Sequence, residues 1–191
     1  AKKIIPVGTT QEAFELRNKI PGSLLMGEEH GYKIKGFDFG NSPAEIINQD
    51  LSNKVLIQRT SAGTQGLVRS KPNLGLLAAS FVVANATAEY LKTLNPGVVS
   101  FIITGNSLGR DGNEDLACAE FIAGLVQNEN LNSNPYISRI LTSSVGRSYL
   151  NGESKYLSEE DLILSSQVNR FNFSMVVRKE DDLFVIFRND Q

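Results

Sequence analysis

Carboxylates, amides, hydroxyls and glycines are concentrated in one segment near the start of the chain, residues 27–45. The segment reads Gly-Glu-Glu-His-Gly-Tyr-Lys-Ile-Lys-Gly-Phe-Asp-Phe-Gly-Asn-Ser-Pro-Ala-Glu and directly follows a short apolar stretch. Connections between elements are normally a few residues long, and longer ones that contain glycines are often functional. Such a segment can bring carboxylates and loop amides together around an anion or a metal ion.

Within this segment Asp38, together with Asn41 and Ser42, could ligate Mg²⁺. This ion prefers a small number of carboxylate oxygens and keeps several of its waters. The alternative is an Asx-type turn closed by Gly40 and Pro43, and both interpretations stay open.

Two other residues of the segment could carry chemistry. Glu28 and Glu29 are adjacent, so in an extended chain they point to opposite sides, and we expect Glu28, nearest the strand end, to serve a site. His30 is the sole histidine and therefore the sole imidazole base, but its charged surroundings favour a solvated residue.

The elements that must position these residues follow from the spacing of apolar side chains. Strands are predicted at residues 4–7, 24–26, 55–60, 81–84 and 98–104, the last being a continuous apolar run typical of a buried parallel strand. Thr9 and Glu12 form a capping-box pattern at the start of a helix that Pro21 ends. Further helices are predicted after Asn85, over residues 114–127, and from residue 134 onward, where Asn-Pro is a helix-start signal. Strands separated by helices predict an α/β fold with a mostly parallel sheet between two helical layers.

The last third of the chain has a different character. Residues 142–154 are rich in serine and glycine and are predicted to form a loop or lid. A short helix should start at residues 158–161, and residues 173–178 and 183–188 should form a closing β-hairpin. We therefore divide the chain into an α/β core, residues 1–130, which carries the site, and C-terminal helices and a hairpin, residues 131–191, which pack on it.

Four predicted strands are followed by small or polar residues, and ligands of α/β sheets usually bind beyond the carboxyl ends of strands. Residues 60–66, Thr-Ser-Ala-Gly-Thr-Gln-Gly, could hold a phosphate or sulfonate through backbone N–H groups, or could simply form a turn that caps a helix. Asn85 follows the strand at residues 81–84. Glu114 and Asp115 could serve a site, or could only complement the dipole of their helix.

Composition limits the class of protein. The 191 residues, 41% hydrophobic and 21% charged with a net charge of −2, suit one large or two small globular domains and argue against a nucleic-acid binder. No apolar run approaches the length of a membrane span and no secretory signal is evident, so we expect a cytoplasmic protein. The single Cys118 excludes an internal disulfide, and its helical position predicts a packing role. No Cys-x5-Arg, Asp-x-Asp or P-loop motif is present, so no covalent phospho-enzyme is indicated.

Several of these segments, in this order, resemble the 2-phosphosulfolactate phosphatase family. Residues 36–45, Gly-Phe-Asp-Phe-Gly-Asn-Ser-Pro-Ala-Glu, match its long motif, and residues 60–64 match its threonine-rich turn. Asn85-Ala86 matches an Asn-Ala pair, and residues 114–119, Glu-Asp-Leu-Ala-Cys-Ala, match a Glu-Asp pair that opens an alanine-rich helix. The ordered match spans about residues 27–126, whereas the Asp-Val-Leu-Arg-Ala-like motif that usually opens the family is not found. The resemblance implies an α/β fold and a Mg²⁺-dependent phosphatase that hydrolyses 2-phospho-3-sulfolactate in coenzyme M biosynthesis.

The leading hypothesis is thus a Mg²⁺-dependent phosphatase for a small anionic phosphoester. Asp38 and Asp115, or Glu114, would hold the metal, and Glu28 would be a ligand or a base that orients water. The phosphate or a second acidic group of the substrate would be bound by residues of the 60–66 turn, by two residues of the long motif and by one further asparagine. These residues are Thr60, Ser61, Gly63, Thr64, Asn41, Ser42 and Asn85. The alternative is a non-catalytic relative that binds a small organic acid or phosphate. A sheet edge or the final hairpin could pair two subunits.

Overall fold

The chain alternates strands and helices at its start, as the sequence predicts. The computed structural model describes residues 1–71, 74–105, 111–151 and 158–190. The strands in these ranges are β1 (Lys3–Pro6), β2 (Leu24–Glu29), β3 (Tyr32–Lys33), β4 (Val55–Arg59), β5 (Leu76–Ala78), β6 (Phe173–Glu180) and β7 (Leu183–Asp190). The α-helices are α1 (Thr10–Lys19), α2 (Pro43–Ile46), α3 (Gly63–Arg69), α4 (Ala84–Leu94), α5 (Asn113–Val126), α6 (Asn134–Thr142), α7 (Ser144–Leu150) and α8 (Glu159–Ser165).

Local sequence signals account for where several of these elements begin. The Thr9 hydroxyl accepts a hydrogen bond from the Glu12 N–H at 3.1 Å, and the Glu12 carboxylate accepts one from the Thr9 N–H at 2.9 Å. This reciprocal pair is the predicted capping box and satisfies donors that the first helical turn leaves unpaired. The turn between β2 and β3 consists of His30 and Gly31, whose φ angles of 53° and 85° are those of a tight hairpin turn.

The sheet joins parallel and antiparallel strands in the order β3-β2-β4-β1-β7-β6-β5. Strands β2 and β1 each pair with β4 in parallel, and the other pairs are antiparallel. The α/β class with a helix-flanked sheet is confirmed, as is the terminal hairpin of β6 and β7. Because parallel strands point the same way, β1, β4 and β2 end at one edge of the sheet, which we call the carboxyl edge.

Two apolar clusters hold the helices to the sheet and to each other. The first packs α1 on the three parallel strands through Ile5, Ala13, Leu25 and Ile57, all at most 1% exposed. The second lies under α4, α5 and α6 and includes buried Phe81, Leu91, Ala117, Phe121 and Ile122. Burying apolar side chains on this scale is the main driving force for folding. In the described residues no helix is both long and apolar enough to cross a membrane.

The strand predicted at residues 81–84 is wrong. This stretch forms a short 3₁₀ helix, Phe81–Val83, that continues directly into α4. Its apolar side chains are buried as expected, but among helices, and the carbonyls of Phe81 and Val82 accept hydrogen bonds from the N–H groups of Asn169 and Phe171. A short apolar run in a sequence predicts that the segment is buried, but it does not distinguish a strand from a buried helix.

The strand predicted at residues 98–104 is also wrong. No strand is assigned there, and Val98 and Ile102 are 82% and 66% exposed. Phe101 packs against the second cluster, so only one side of this apolar run is covered. A strand needs a neighbour that completes its hydrogen bonds, and no strand in the described ranges pairs with this segment.

The loop predicted at residues 142–154 contains helix α7. The buried Ser143 starts this helix by accepting a hydrogen bond from the Gly146 N–H at 2.9 Å. Serine is common both in loops and at the N-caps of helices, so a serine-rich segment does not distinguish the two, and the prediction of a loop was wrong. The part of the prediction on residues 152–157 lies outside the described residues. The predicted helix starts near residues 114, 134 and 158 are confirmed by α5, α6 and α8.

Candidate active site

The exits of β1 and β4 meet at the start of α3, at the carboxyl edge. The side-chain amide of Gln65 donates to the carbonyl oxygens of Gly8 at 2.8 Å and Thr60 at 3.2 Å. The Thr60 N–H donates to the Thr64 hydroxyl at 2.8 Å, and the Thr64 N–H donates to the Thr60 hydroxyl at 3.0 Å. The predicted binding residues Thr60, Gly63 and Thr64 therefore lie together. Their threonine hydroxyls are buried and lie 3.4 Å from each other, and the Thr60 hydroxyl accepts from an N–H in the first turn of α3.

Glu28 joins the exit of β2 to this same edge. Its carboxylate accepts hydrogen bonds from the Ser61 N–H at 2.6 Å, from the Ser61 hydroxyl at 3.0 Å and from the Gly31 N–H at 2.7 Å. Three donors on one carboxylate fix the hairpin turn of β2 and β3 against the end of β4. Glu28 and Ser61, both predicted site residues, are thus in direct contact.

Arg59, the last residue of β4, places a positive charge beside Glu28 and was missed by the sequence analysis. Its guanidinium pairs with Glu29 at 2.7 Å and donates to the Glu28 carbonyl at 2.8 Å. The side chain is 13% exposed, and its Nε–H is buried without a hydrogen-bond partner in the described part of the chain. An arginine at the end of a strand that leads into a Thr-Ser-Ala-Gly turn was the available signal.

The first turn of α5 forms a second group of predicted residues. The Asp115 carboxylate accepts hydrogen bonds from the Thr104 hydroxyl at 3.0 Å and the Gly105 N–H at 2.7 Å. A Cβ on Gly105 would lie 2.7 Å from a Glu114 carboxylate oxygen and 3.2 Å from an Asp115 oxygen, so both acidic side chains close over this glycine. The other Glu114 oxygen, Oε2, is buried and has no hydrogen-bond partner among the described residues.

The two groups are linked through α3. The Thr104 side chain occupies the space that a Cβ on Gly66 would take, so α3 and the Thr104–Gly105 backbone are in close contact. Predicted residues at the exits of β2 and β4 are therefore connected through α3 to Glu114 and Asp115 at the start of α5. We call these two groups together the candidate site.

Cys118, one turn after Asp115, packs against the second apolar cluster. Burial, assisted by the negative charge of Asp115, raises the pKa of its thiol to about 12. A thiol with this pKa stays protonated near neutral pH and is a poor nucleophile. The packing role predicted for Cys118 agrees with this environment.

Asp38 is held away from the candidate site. Its carboxylate pairs with the Arg17 guanidinium at 3.1 Å and accepts a hydrogen bond from the Leu25 N–H at 2.8 Å. Leu25 lies three residues before Glu28 along β2, which separates the two positions by about 10 Å. This spacing separates Asp38 from Glu28, and no hydrogen bond in the described residues joins Asp38 to Glu114 or Asp115.

Asn41 and Ser42 lie in a separate network at the start of α2. The Asn41 side-chain oxygen accepts a weak hydrogen bond from Gln58 at 3.4 Å. The Ser42 hydroxyl caps α2 by accepting from the Glu45 N–H, and it donates to the Asp161 carboxylate at 2.6 Å. The Ser42 contacts hold α2 against α8, whereas the Asn41 contact is made to Gln58 of β4, the residue before Arg59.

Asp161 is the centre of this network. Burial by itself raises the pKa of its carboxyl, but hydrogen bonds from Ser42, Ala44 and Ser158 outweigh burial and hold the pKa below its usual value. The side chain is 4% exposed and remains charged because each oxygen accepts hydrogen bonds.

Asn85 lies apart from both groups. It is the second residue of α4 and its side chain is exposed, while its N–H donates to the Asn169 side chain at 2.7 Å. Nothing in the described contacts joins it to the carboxyl edge.

Comparison with known proteins agrees with the order of these segments. The family model described as 2-phosphosulpholactate phosphatase matches residues 1–179. The chain belongs to this family. Its name is that of a phosphoric monoester hydrolase.

Relatives named "Probable 2-phosphosulfolactate phosphatase" share moderate identity with this chain. The Bacillus subtilis protein is 32% identical over 98% of this chain and 82% of its own length. The Carboxydothermus hydrogenoformans protein is 39% identical over 75% of this chain and 60% of its own length. The Thermoplasma acidophilum protein is 28% identical over 90% of this chain and 74% of its own length. The chain thus aligns with only part of each relative.

The long motif of this phosphatase-family chain, residues 36–45, bonds to β2, α1 and α8 and also has hydrogen bonds of its own around α2. The Glu45 carboxylate accepts from the Gly40 N–H at 2.6 Å and from Lys33 at 2.9 Å. Together with the Ser42 cap and Pro43 in the first turn, these contacts shape the motif around α2. In this structure the motif supports the carboxyl edge from the side.

The candidate site can offer Mg²⁺ only a small number of carboxylate ligands. In the described residues no three His, Cys, Asp or Glu side chains are grouped to hold a metal. Mg²⁺ often uses only one or two protein carboxylates, with waters and phosphate oxygens completing its shell. Glu114, which has a buried oxygen without a hydrogen-bond partner among the described residues, and its neighbour Asp115 meet that requirement. Asp38 does not, because Arg17 and the Leu25 N–H already occupy its oxygens.

Proposed function

We propose that this chain is a Mg²⁺-dependent phosphatase that hydrolyses 2-phospho-3-sulfolactate to 3-sulfolactate and phosphate, a step in coenzyme M biosynthesis. Family membership and the names of the relatives support the reaction. The observation that carries the proposal to particular residues is the pair Glu114 and Asp115, which closes over Gly105 and has one buried carboxylate oxygen that no described residue pairs. A buried charged oxygen without a partner is costly, and a cation would satisfy it.

Each residue of the candidate site has a role in this proposal. Glu114 and Asp115 would hold the metal, while hydrogen bonds from Thr104 and Gly105 keep the Asp115 carboxylate oriented. Mg²⁺, when bound, polarises a phosphoryl oxygen and neutralises developing negative charge. Arg59 supplies a positive charge and an unpaired buried donor at the carboxyl edge.

Glu28 is a positioning residue in this proposal. Its carboxylate already accepts three hydrogen bonds and holds Ser61, so it is poorly placed to activate water. Binding of substrate by Ser61, Gly63 and the two threonines stays a prediction. A homodimer formed through a sheet edge or the final hairpin stays a prediction as well.

The test is a phosphate-release assay on 2-phosphosulfolactate and a panel of simple phosphoesters, each with Mg²⁺ and with EDTA. We expect a metal-dependent rate that falls more than about 100-fold in Glu114→Gln, because the loss of residues that merely support metal ligands already costs about 10- to 100-fold. Glu160→Gln is the matched control, since Glu160 is an exposed acidic residue in the first turn of α8. Equal rates in the two variants, or a rate indifferent to EDTA, would contradict the proposal.

A non-catalytic binder of a small organic acid or phosphate is the second candidate. It is favoured by the internal hydrogen bonding of Glu28 and Asp38, which leaves two of the predicted site carboxylates without free oxygens. This candidate predicts that 3-sulfolactate or phosphate binds in a calorimetric titration while no member of the phosphoester panel is hydrolysed.

A further inference from the structure

An open cleft of about 330 Å³ lies where α6 and α7 meet the start of α5. Small-molecule sites typically have volumes of about 300 to 1,000 Å³. Every described residue that lines the cleft carries a polar or charged side chain: Asp111, Asn113, Arg139, Thr142, Ser143 and Arg147. The described lining is thus mainly polar, which suits a small polar ligand better than an aromatic or aliphatic one.

The charge of the cleft favours an anion. Asp111 is the only acidic residue in the described lining, and its carboxylate accepts hydrogen bonds from the Asn113 N–H at 3.2 Å and from the Asn113 side-chain amide at 2.8 Å. Arg139 forms an ion pair with Glu120, outside the lining. Arg147 is exposed and forms no ion pair with any residue in the described ranges. Within the described ranges one arginine charge therefore has no acidic partner, and the charge of Arg139 can be shared between Glu120 and a ligand.

The two arginines are placed by a tight break between α6 and α7. The Ser143 hydroxyl donates to the Ile140 carbonyl at 2.7 Å and accepts from the Gly146 N–H at 2.9 Å, which ends α6 and starts α7. A Cβ on Gly146 would collide with the Ile140 carbonyl, so the two helices approach this closely only with glycine there. Arg139 in the last turn of α6 and Arg147 in α7 thereby face one cleft.

The cleft adjoins the proposed metal ligands. Asn113, which lines it, is followed directly by Glu114 and Asp115. A ligand that reached from these carboxylates into the cleft would place one acidic group near a metal and another near the arginines. The planar guanidinium of arginine donates parallel hydrogen bonds that match the oxygens of carboxylates and other oxyanions.

We propose that Arg139 and Arg147 bind the non-reacting acidic group of the phosphoester, its sulfonate or its carboxylate. This inference rests on the proposed function. It assigns substrate selection to the cleft, because a phosphoester without a second acidic group would leave the arginine pair unused.

The first test is a calorimetric titration of the whole chain with 3-sulfolactate, which requires no turnover. We expect the Kd to rise at least about 10-fold in Arg139→Gln and in Arg147→Gln, the usual effect of losing a hydrogen bond to a charged group. Arg170→Gln, which removes the same charge from the loop before β6, should leave the Kd unchanged. Unchanged binding in both cleft variants would overturn the proposal.

The Glu120→Gln variant distinguishes a binding role of Arg139 from a purely structural one. If Arg139 binds the anion, releasing it from Glu120 should leave 3-sulfolactate binding equal or tighter. If Arg139 acts only by joining α6 to α5, Glu120→Gln should weaken binding as Arg139→Gln does, and the role of Arg139 in the proposal would be wrong. Should Arg139→Gln fail to fold, Arg147→Gln carries the test, because Arg147 has no ion pair to lose among described residues.

Kinetics then identify the acidic group and keep the two proposals apart. A KM raised by Arg147→Gln for 2-phosphosulfolactate but not for 2-phospholactate, with kcat unchanged, assigns the sulfonate; a rise for both assigns the carboxylate. If no phosphoester is hydrolysed but 3-sulfolactate binding still depends on both arginines, the proposed function fails and the cleft stands. If hydrolysis occurs and neither KM changes, the cleft assignment fails alone.

Discussion

The first turns of α5 and α8 are both acidic, but their buried carboxylates differ in hydrogen bonding. In α8 the Asp161 carboxylate accepts from Ser42, Ala44 and Ser158. In α5 one buried oxygen of Glu114 accepts from no described residue. A fully hydrogen-bonded carboxylate stabilises the fold, whereas an unpaired one lowers stability and is tolerated where a ligand or cation completes it. Asp161 is therefore a structural carboxylate, whereas Glu114 has an oxygen that the proposed function assigns to a metal.

Gly105→Ala should give the largest effect on function after Glu114→Gln itself. The added methyl group would lie 2.7 Å from a Glu114 oxygen and 3.2 Å from an Asp115 oxygen, so both carboxylates must move. We expect the Mg²⁺-dependent rate to fall about 10- to 100-fold, as for other disturbances around metal ligands. Gly75→Ala is a matched control, because a Cβ there meets nothing within 4 Å. Equal rates for the two variants would show that the carboxylates are not catalytic.

Asp161→Asn should have the largest effect on stability and little on the rate per folded molecule. The asparagine amide would place an N–H₂ group against hydrogen-bond donors that now bond to a carboxylate oxygen. Hydrogen bonds to a charged group contribute about 1.5 to 3 kcal/mol each. We expect urea unfolding to show a loss of about 2 kcal/mol. Ser158→Ala, which removes the cap of α8 and one of the donors to Asp161, should lose about 1 kcal/mol. A stable Asp161→Asn variant that has lost phosphatase activity would reverse the roles assigned to the two turns.

The stability difference between the wild type and Asp161→Asn should depend on pH. Hydrogen bonds hold the folded pKa of Asp161 below its usual value, so the unfolded chain binds the proton more tightly. The stabilisation is then complete above the unfolded pKa, about 3.9, and is lost as pH falls through the lower folded pKa. Urea unfolding between pH 7 and pH 2.5 should show a constant difference down to about pH 4 and a narrowing one below it. A difference that widened in acid would mean that the folded pKa is raised.

Asp38→Asn should have the smallest effect of the carboxylate variants. Its partner Arg17 is about one-third exposed, and ion pairs of this kind contribute about 1 kcal/mol or less. We expect a small loss of stability in urea and unchanged Mg²⁺ binding by calorimetry. A strong loss of Mg²⁺ affinity would instead restore Asp38 to the metal site that the sequence analysis proposed.

The sequence predicted local features of this fold well. The capping box at Thr9, the Asn-Pro start of α6, the cap of α8 at Ser158 and the final hairpin all depend on residues a few positions apart. The spacing of apolar side chains also located α5 and the three parallel strands. At the candidate site, the reading of strand exits correctly grouped Glu28 with Ser61, because parallel strands deliver their ends to one edge.

Other features depended on distant partners. Residues 98–104 have a strand composition but no neighbouring strand in the described ranges, and residues 81–84 are apolar because helices cover them. Asp38 resembles a metal ligand in sequence, and only the position of Arg17 on α1 shows that its charge is already paired. Arg139 and Arg147 belong to no recognisable sequence motif, because the cleft that they share forms only where α6 and α7 meet α5.

The sequence by itself determined the class of fold, the family, and the starts and ends of most elements, because caps, turns and periodic apolar residues act over short stretches of chain. The tertiary structure decided which of the acidic residues are satisfied and which are not. That distinction depends on donors contributed by remote segments, such as Ser42 for Asp161, or on their absence around Glu114 in the described residues. The chemistry of a carboxylate is set by those partners, and no spacing along the chain specifies them.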